Sequence, residues 1–404
     1  MLTVAAAALC ADTMSRRALF SSVALSTASR RANAFDFEDQ RFLDNYLRSS
    51  NIYAINTDSS AKALPSTTRM SADVFVRALS KQRAIFLGEH HPEFRDHLLQ
   101  AALLRRLHAT GKPLAVGLEA VQRQFQPVLD DYISGRITEQ ELFVATEWAT
   151  RWYWPFEGYA PIFRIAREYG VRLVALDMDS EDKAKVELGG LASLDNAKLR
   201  EYVPDIAGFE RFGSTRAFDE YIAYTLRPPY DLQKKLGQKM TSSTSVERTM
   251  TFANFLARQS LRDETMAAAS VAWLSQNPDG LMMGLTGTNH AKFACGVQAR
   301  TARMLPGGLD VVSSILLNPT PFNSFNGALN NLRQCDRTAV RNEACVRNDI
   351  EIQNYVLQLE YASQGRATKE RDVDEAVFAT QAKKGSSVLP LADYIIFGRK
   401  NAHM

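Results

Sequence analysis

From about residue 72 onward the chain alternates short, uninterrupted apolar runs with longer amphipathic stretches. AIFLG (84–88), LAVGL (114–118), VRLVAL (171–176), LMMGLT (281–286), LDVVSSILL (309–317) and ADYIIF (392–397) have the length and content of buried strands. Pro92 marks the first turn of a helix whose apolar face carries Leu98, Leu99, Ala102, Leu103 and Leu107. Further helical segments are expected near 122–133 and 138–150, and near 161–169 before the C-capping Gly170. Buried runs separated by helices predict βαβ units, hence an α/β fold with a mostly parallel sheet flanked by helices.

The rhythm breaks over 180–250, a polar stretch with Pro228-Pro229 and the run TSSTS, which reads as a helical insertion, a lid over the site. A second irregular stretch, 318–349, is rich in Asn and Arg. The expected organisation is a targeting segment (1–34), a linker (35–71), an α/β domain (72–318) and a C-terminal extension (319–404) packing on it.

Composition is ordinary for a globular chain of 404 residues, with 46% hydrophobic and 23% charged residues and a net charge of +3. No basic stripe interleaved with aromatics calls for nucleic acid. No run approaches the roughly 18 apolar residues of a spanning helix. Four cysteines exclude a disulfide scaffold, although Cys335 and Cys345 could pair in an oxidising compartment, the alternative being two free thiols. Residues 1–34 hold one acid, Asp12, against Arg16, Arg17, Arg30 and Arg31. The twin arginine, the mildly apolar ALFSSVALSTA and the small-residue end Ala32-Asn33-Ala34 resemble a plastid import sequence followed by a thylakoid-lumen signal. A bacterial export signal, giving a periplasmic protein, is the alternative.

In an open parallel sheet, ligands bind beyond the carboxyl ends of the strands. The first apolar run is followed by Glu89, His90 and His91, the second by Glu119, the third by Asp177 and Asp179, and the fourth by Gly287, Thr288, Asn289 and His290. Acids and imidazoles from strands far apart in sequence thus converge on one edge, as an acid–base pair or a transition-metal site requires. Each has a plainer alternative: His91 or Asn289 could cap a helix, and Glu119 could pair with Arg262. The aromatic stretch holding Trp148, Trp152, Tyr153, Trp154, Phe156 and Tyr159 is either core packing or a wall for a planar ligand. A tyrosine phenolate can ligate haem iron.

LGEHHPEFRDHLLQ (87–100) resembles the opening motif of the ChaN-like haem-binding family of the Tiki/TraB/EreA superfamily, with Gly88, Glu89, His91, His97 and Gln100 on its G-E-x-H, second histidine and glutamine. The resemblance continues through 117–142, 154–176, LRDETMA (261–267) and GTNHAKFACGVQAR (287–300). Asp177 stands where the family pattern carries asparagine.

The resemblance implies a haem- or iron-binding protein in which Glu89, His91, Glu119, Arg262 and His290 share the site and His91, His97, His290, Tyr153 or Tyr159 face the haem. A shallow haem face would favour a homodimer. It also implies a second reading, a metal-dependent hydrolase or peptidase. There Glu89, His91 and His290 would hold a divalent transition metal, with Glu89 or Glu119 as base and Arg262 on an oxyanion. A partner-binding scaffold with a vestigial site is a third.

Overall fold

Uninterrupted apolar runs become strands here because both faces of the sheet are covered. The computed structural model describes residues 37–57, 65–235, 250–324, 343–345, 355–360 and 388–399. The expected targeting segment, Cys335 and the Cys345 side chain lie outside the described residues. The strands are β1 (Asn51–Asn56), β2 (Ser66–Met70), β3 (Ala84–Glu89), β4 (Leu114–Gln122), β5 (Arg172–Asp177), β6 (Leu281–Gly287), β7 (Val312–Leu317), β8 (Glu343–Cys345), β9 (Val356–Glu360), β10 (Val388–Pro390) and β11 (Tyr394–Phe397).

Eight of them form one sheet in the order β2-β1-β11-β7-β3-β6-β4-β5, while β10-β9-β8 form a small antiparallel sheet. The strands from β11 to β5 all run parallel, and they are the six apolar runs of the sequence. β1 is antiparallel to β11 and β2 to β1. The stretch expected as a linker therefore carries a helix and a hairpin that close this side of the sheet.

Alternate residues of one strand face opposite layers. Ile85 and Leu87 pack with α1 (Phe37–Arg48), α2 (Phe94–His108) and α3 (Phe156–Glu168), whereas Ala84 and Phe86 pack with α4 (Phe252–Gln276) and α5 (Val297–Met304). Because α1 and α3 flank it, α2 is buried on more sides than its apolar stripe predicts, including Asp96, His97 and Gln100. It begins at Phe94 rather than Pro92, with Glu93 capping the Arg95 amide at 3.2 Å. The aromatic loop is shorter than expected, since α3 already starts at Phe156 and accommodates Pro161.

The insertion is helical over its described part: Ser180–Gly189, Asn196–Tyr202, Ile206–Gly213, Arg216–Tyr221, a π-helical turn Ile222–Leu226, and Arg227–Lys235. Arg300 of α5 seats it. This fully buried guanidinium lies over the rings of Phe209, Phe212 and Phe218 at 5.3, 4.5 and 5.3 Å and pairs with Glu264 at 3.0 Å. Among the described residues no helix is long and apolar enough to cross a membrane.

Candidate functional site

The carboxyl ends of β3, β4, β5 and β6 bring Glu89, Glu119, Asp177 and Gly287 to one edge, where they form two adjoining networks. The first surrounds Glu89. Its Oε1 accepts from the Tyr159 hydroxyl at 2.5 Å and its Oε2 from Gln100 Nε2 at 2.5 Å. His91 Nδ1 lies 3.3 Å from Oε1 and His97 Nε2 3.5 Å from Oε2. Burial opposes the charge on Glu89, yet the adjoining imidazole of His97 and the Tyr159 donor hold its pKa below the ordinary value.

The same environment acts oppositely on its neighbours. Burial lowers the His91 pKa against the pull of Glu89 and Glu119, leaving a neutral ring. Burial and the Glu89 charge push the Tyr159 phenol well above its usual range, so it remains a donor. The His91 ring stacks on Trp154 at 5.1 Å with 9° between planes and meets Trp152 edge-on at 5.3 Å. With Nδ1 turned to Glu89, its Nε2 faces the space beside Gly287. His97 comes this close only because residue 158 is glycine: a Cβ there would sit 2.5 Å from His97 Nδ1.

The second network is ionic. β4 changes register against β5 between Leu118 and Gln122, and this irregularity brackets Glu119. Its Oε2 accepts from the Gly287 amide at 2.6 Å and its Oε1 from Arg262 Nη2 at 2.7 Å. Arg262 also donates through Nε and Nη2 to Asp177 at 3.0 and 2.9 Å, and Lys183 reaches Asp177 at 2.9 Å. His290 lies between Glu119, 3.3 Å from Nε2, and Asp263, which its Nδ1 contacts directly. Gln259 Nε2 approaches the same Nδ1 at 3.2 Å. Burial disfavours a charged ring, yet Glu119 and Asp263 outweigh it and raise the His290 pKa to about 9. The charges of His290 and Arg262 likewise overcome burial to hold Glu119 well below its ordinary value.

Glu89, His91, His97, Tyr159, Glu119, Arg262 and His290 are therefore brought together, with His91, Glu119 and His290 all bordering Gly287. Tyr153 is not: its side chain is 85% exposed between Trp152 and Trp154. His90 turns away, its Nδ1 3.3 Å from Asp96 and its Nε2 3.1 Å from Thr288 Oγ1. The set Glu89, His91 and His290 is divided between the two networks. Among the described residues no group of three or more His, Cys, Asp or Glu side chains is disposed to hold a metal ion.

Asp263, Gln259 and Lys183 escaped the sequence reading. Asp263 and Gln259 lie in the polar stretch RQSLRDET (258–265), which reads as a solvated helix face until the burial of that part of α4 is seen.

Fold and site together define a three-layer α/β protein with a carboxylate–imidazole cluster at the carboxyl edge of its sheet. The chain belongs to the family described as haem-binding uptake, Tiki superfamily, ChaN, which matches residues 75–301. It is 24% identical over 255 residues to the RETICULATA-RELATED 5 protein of Arabidopsis thaliana, described as chloroplastic; the match takes in 60% of this chain. It spans only about a third of that curated relative, 32% of its length. Among solved structures, ChaN of Campylobacter jejuni, described with cofacial haem binding, aligns with TM-score 0.43 and 18% identity over 67% of this chain and 91% of its own. An erythromycin esterase mutant, EreC H289N, aligns with TM-score 0.35 and 13% identity over 82% and 94%.

Proposed function

We propose that this protein binds haem at the carboxyl edge of its parallel sheet, on the aromatic loop beside His91. Membership of a haem-binding family supports the ligand class. The observation that carries the location is Tyr153, an 85%-exposed phenol between two tryptophans that both contact the ring of a site histidine. These residues fit the group. A haem presents a large planar apolar face and an iron that accepts an anionic oxygen ligand. Trp152 and Trp154 supply aromatic surface and Tyr153 the phenol. Tyr159 fits less well, because its buried hydroxyl is already donated to Glu89. Trp148 holds the loop from below, its Nε1 donating to the Trp154 carbonyl at 2.9 Å while its ring packs on Phe156 and Tyr159.

Titrating residues 35–404 with haemin tests the proposal. A saturable Soret shift at stoichiometric haem, lost in Tyr153→Phe and kept in Tyr159→Phe, is the expected result. A shift unaffected by Tyr153→Phe refutes the assigned ligand, and no specific shift refutes haem binding.

A second reading, hydrolysis, draws support from the two imidazoles bordering Gly287, one neutral and one cationic, an arrangement suited to separate base and acid roles. The proposed location is the plastid, specifically the thylakoid lumen, supported by the composition of residues 1–34 and by similarity to a chloroplastic relative.

A further inference from the structure

His290 sits on a turn that local sequence alone does not favour. Just after it, Phe293 and Ala294 both adopt positive φ, 59° and 48°, a backbone region that side chains other than glycine seldom enter. Gly296 lies so close beneath that a Cβ there would fall 2.0 Å from the His290 carbonyl oxygen. Consecutive strained residues persist only where surrounding structure over-determines them.

The determining contacts come from remote segments. From the insertion, the Tyr221 hydroxyl donates to the Asn289 carbonyl at 2.8 Å, the Tyr224 ring meets Phe293 edge-on at 5.5 Å, and the Ala217 carbonyl faces Cys295 Sγ at 3.7 Å. From the C-terminal region, the Leu391 carbonyl accepts the Phe293 amide at 2.9 Å. Tyr221 is fully buried, burial and then the nearby Asp263 charge keep its phenol protonated, and its acceptor is the residue directly before His290.

We infer that Tyr221 is a positioning residue: through the Asn289 carbonyl it holds the 288–296 turn so that His290 Nδ1 meets Asp263. Tyr221 thereby sets the orientation of a site imidazole from outside the site, while the first helix of the insertion contributes Lys183 to the ionic network. The groups facing His290 are Asp263, Arg262 and Gln259 of α4 and Glu119 of β4. None of these belongs to the insertion, so Tyr221 acts on the turn and leaves the partners of the ring in place. The assignment does not depend on which ligand the site takes.

The test is the proton shared by His290 and Asp263, followed in the full chain as a far-downfield imidazole N–H resonance and assigned by its disappearance in Asp263→Asn. Tyr221→Phe removes one hydroxyl from a buried ring. It should speed exchange of that proton with water about five- to tenfold, the loss of one ordinary hydrogen bond. Tyr224→Phe, which deletes the hydroxyl bonded to Ser324 and keeps the ring contact with Phe293, should leave exchange unchanged. Unchanged exchange in Tyr221→Phe overturns the inference. So does an equal acceleration in Tyr224→Phe, which would mark general loosening of the insertion.

Discussion

The two halves of the site are built from similar residues and behave differently. Around Glu89 one buried carboxylate is held by a phenol, an amide and two imidazoles, and the flanking surface is aromatic. Around Glu119 three carboxylates are matched by a guanidinium, an ammonium and a charged imidazole. A buried ion network tolerates little rearrangement, because removing one member strands the others in a low-dielectric interior. Neutral donors can be re-aimed at lower cost. The ionic half thus locks the edge of the sheet, and the aromatic half is where we propose that the ligand binds.

Three measurements can break this division, beginning with the largest effect. Arg262→Leu leaves Glu119 and Asp177 buried without their main counter-ion and should cost about 3–5 kcal/mol, seen as a lower urea midpoint. Adding Asp177→Asn should restore part of that loss. A loss below about 1 kcal/mol would show that the network is a surface-like ion pair.

Next comes the dependence on pH. His290 is raised from 6.5 to about 9, so its contribution is fully present below pH 6.5 and lost as pH rises through 9. Glu119 and Asp177 are lowered, so theirs is present above the ordinary carboxylate range and lost as pH falls through their depressed values. Unfolding free energy should therefore decline from pH 6.5 to about 8, above which buried Lys292, depressed to about 8, offsets the loss, and His290→Gln should flatten that decline. A flat profile in the unmodified protein would remove the charge assigned to His290.

The smallest effect belongs to the aromatic half. Tyr159→Phe removes one donor from the Glu89 carboxylate, whose other oxygen keeps Gln100, and should cost about 1.5–3 kcal/mol in the same unfolding assay. A cost as large as that of Arg262→Leu would erase the contrast between the halves.

The parallel sheet was legible because its strands are covered on both faces and so read as continuous apolar runs. The β1–β2 hairpin was not: NIYAIN buries little beyond Ile52 and Tyr53, and STTRM lies at the sheet edge with no buried residue. Nothing in either segment exceeds what a linker shows. The strand-end residues Glu89, Glu119 and His290 were legible from topology alone. Their partners Asp263 and Gln259 sit inside a helix, where burial depends on what packs against that face, and Tyr159 lies in a helix that sequence alone read as a loop.

The place of β11 has a consequence for the order of assembly. Residues 394–397 lie between β7 and β1, so the hairpin of 51–56 and 66–70 joins the rest of the sheet only through a strand remote in sequence. Pairings across nearly the whole length of a polypeptide close late and slowly. Without residues 394–397 the edge of β7 is bare and the N-terminal hairpin undocked. Until 394–397 are in place, no strand among the described residues joins the N-terminal hairpin to the parallel strands of the sheet.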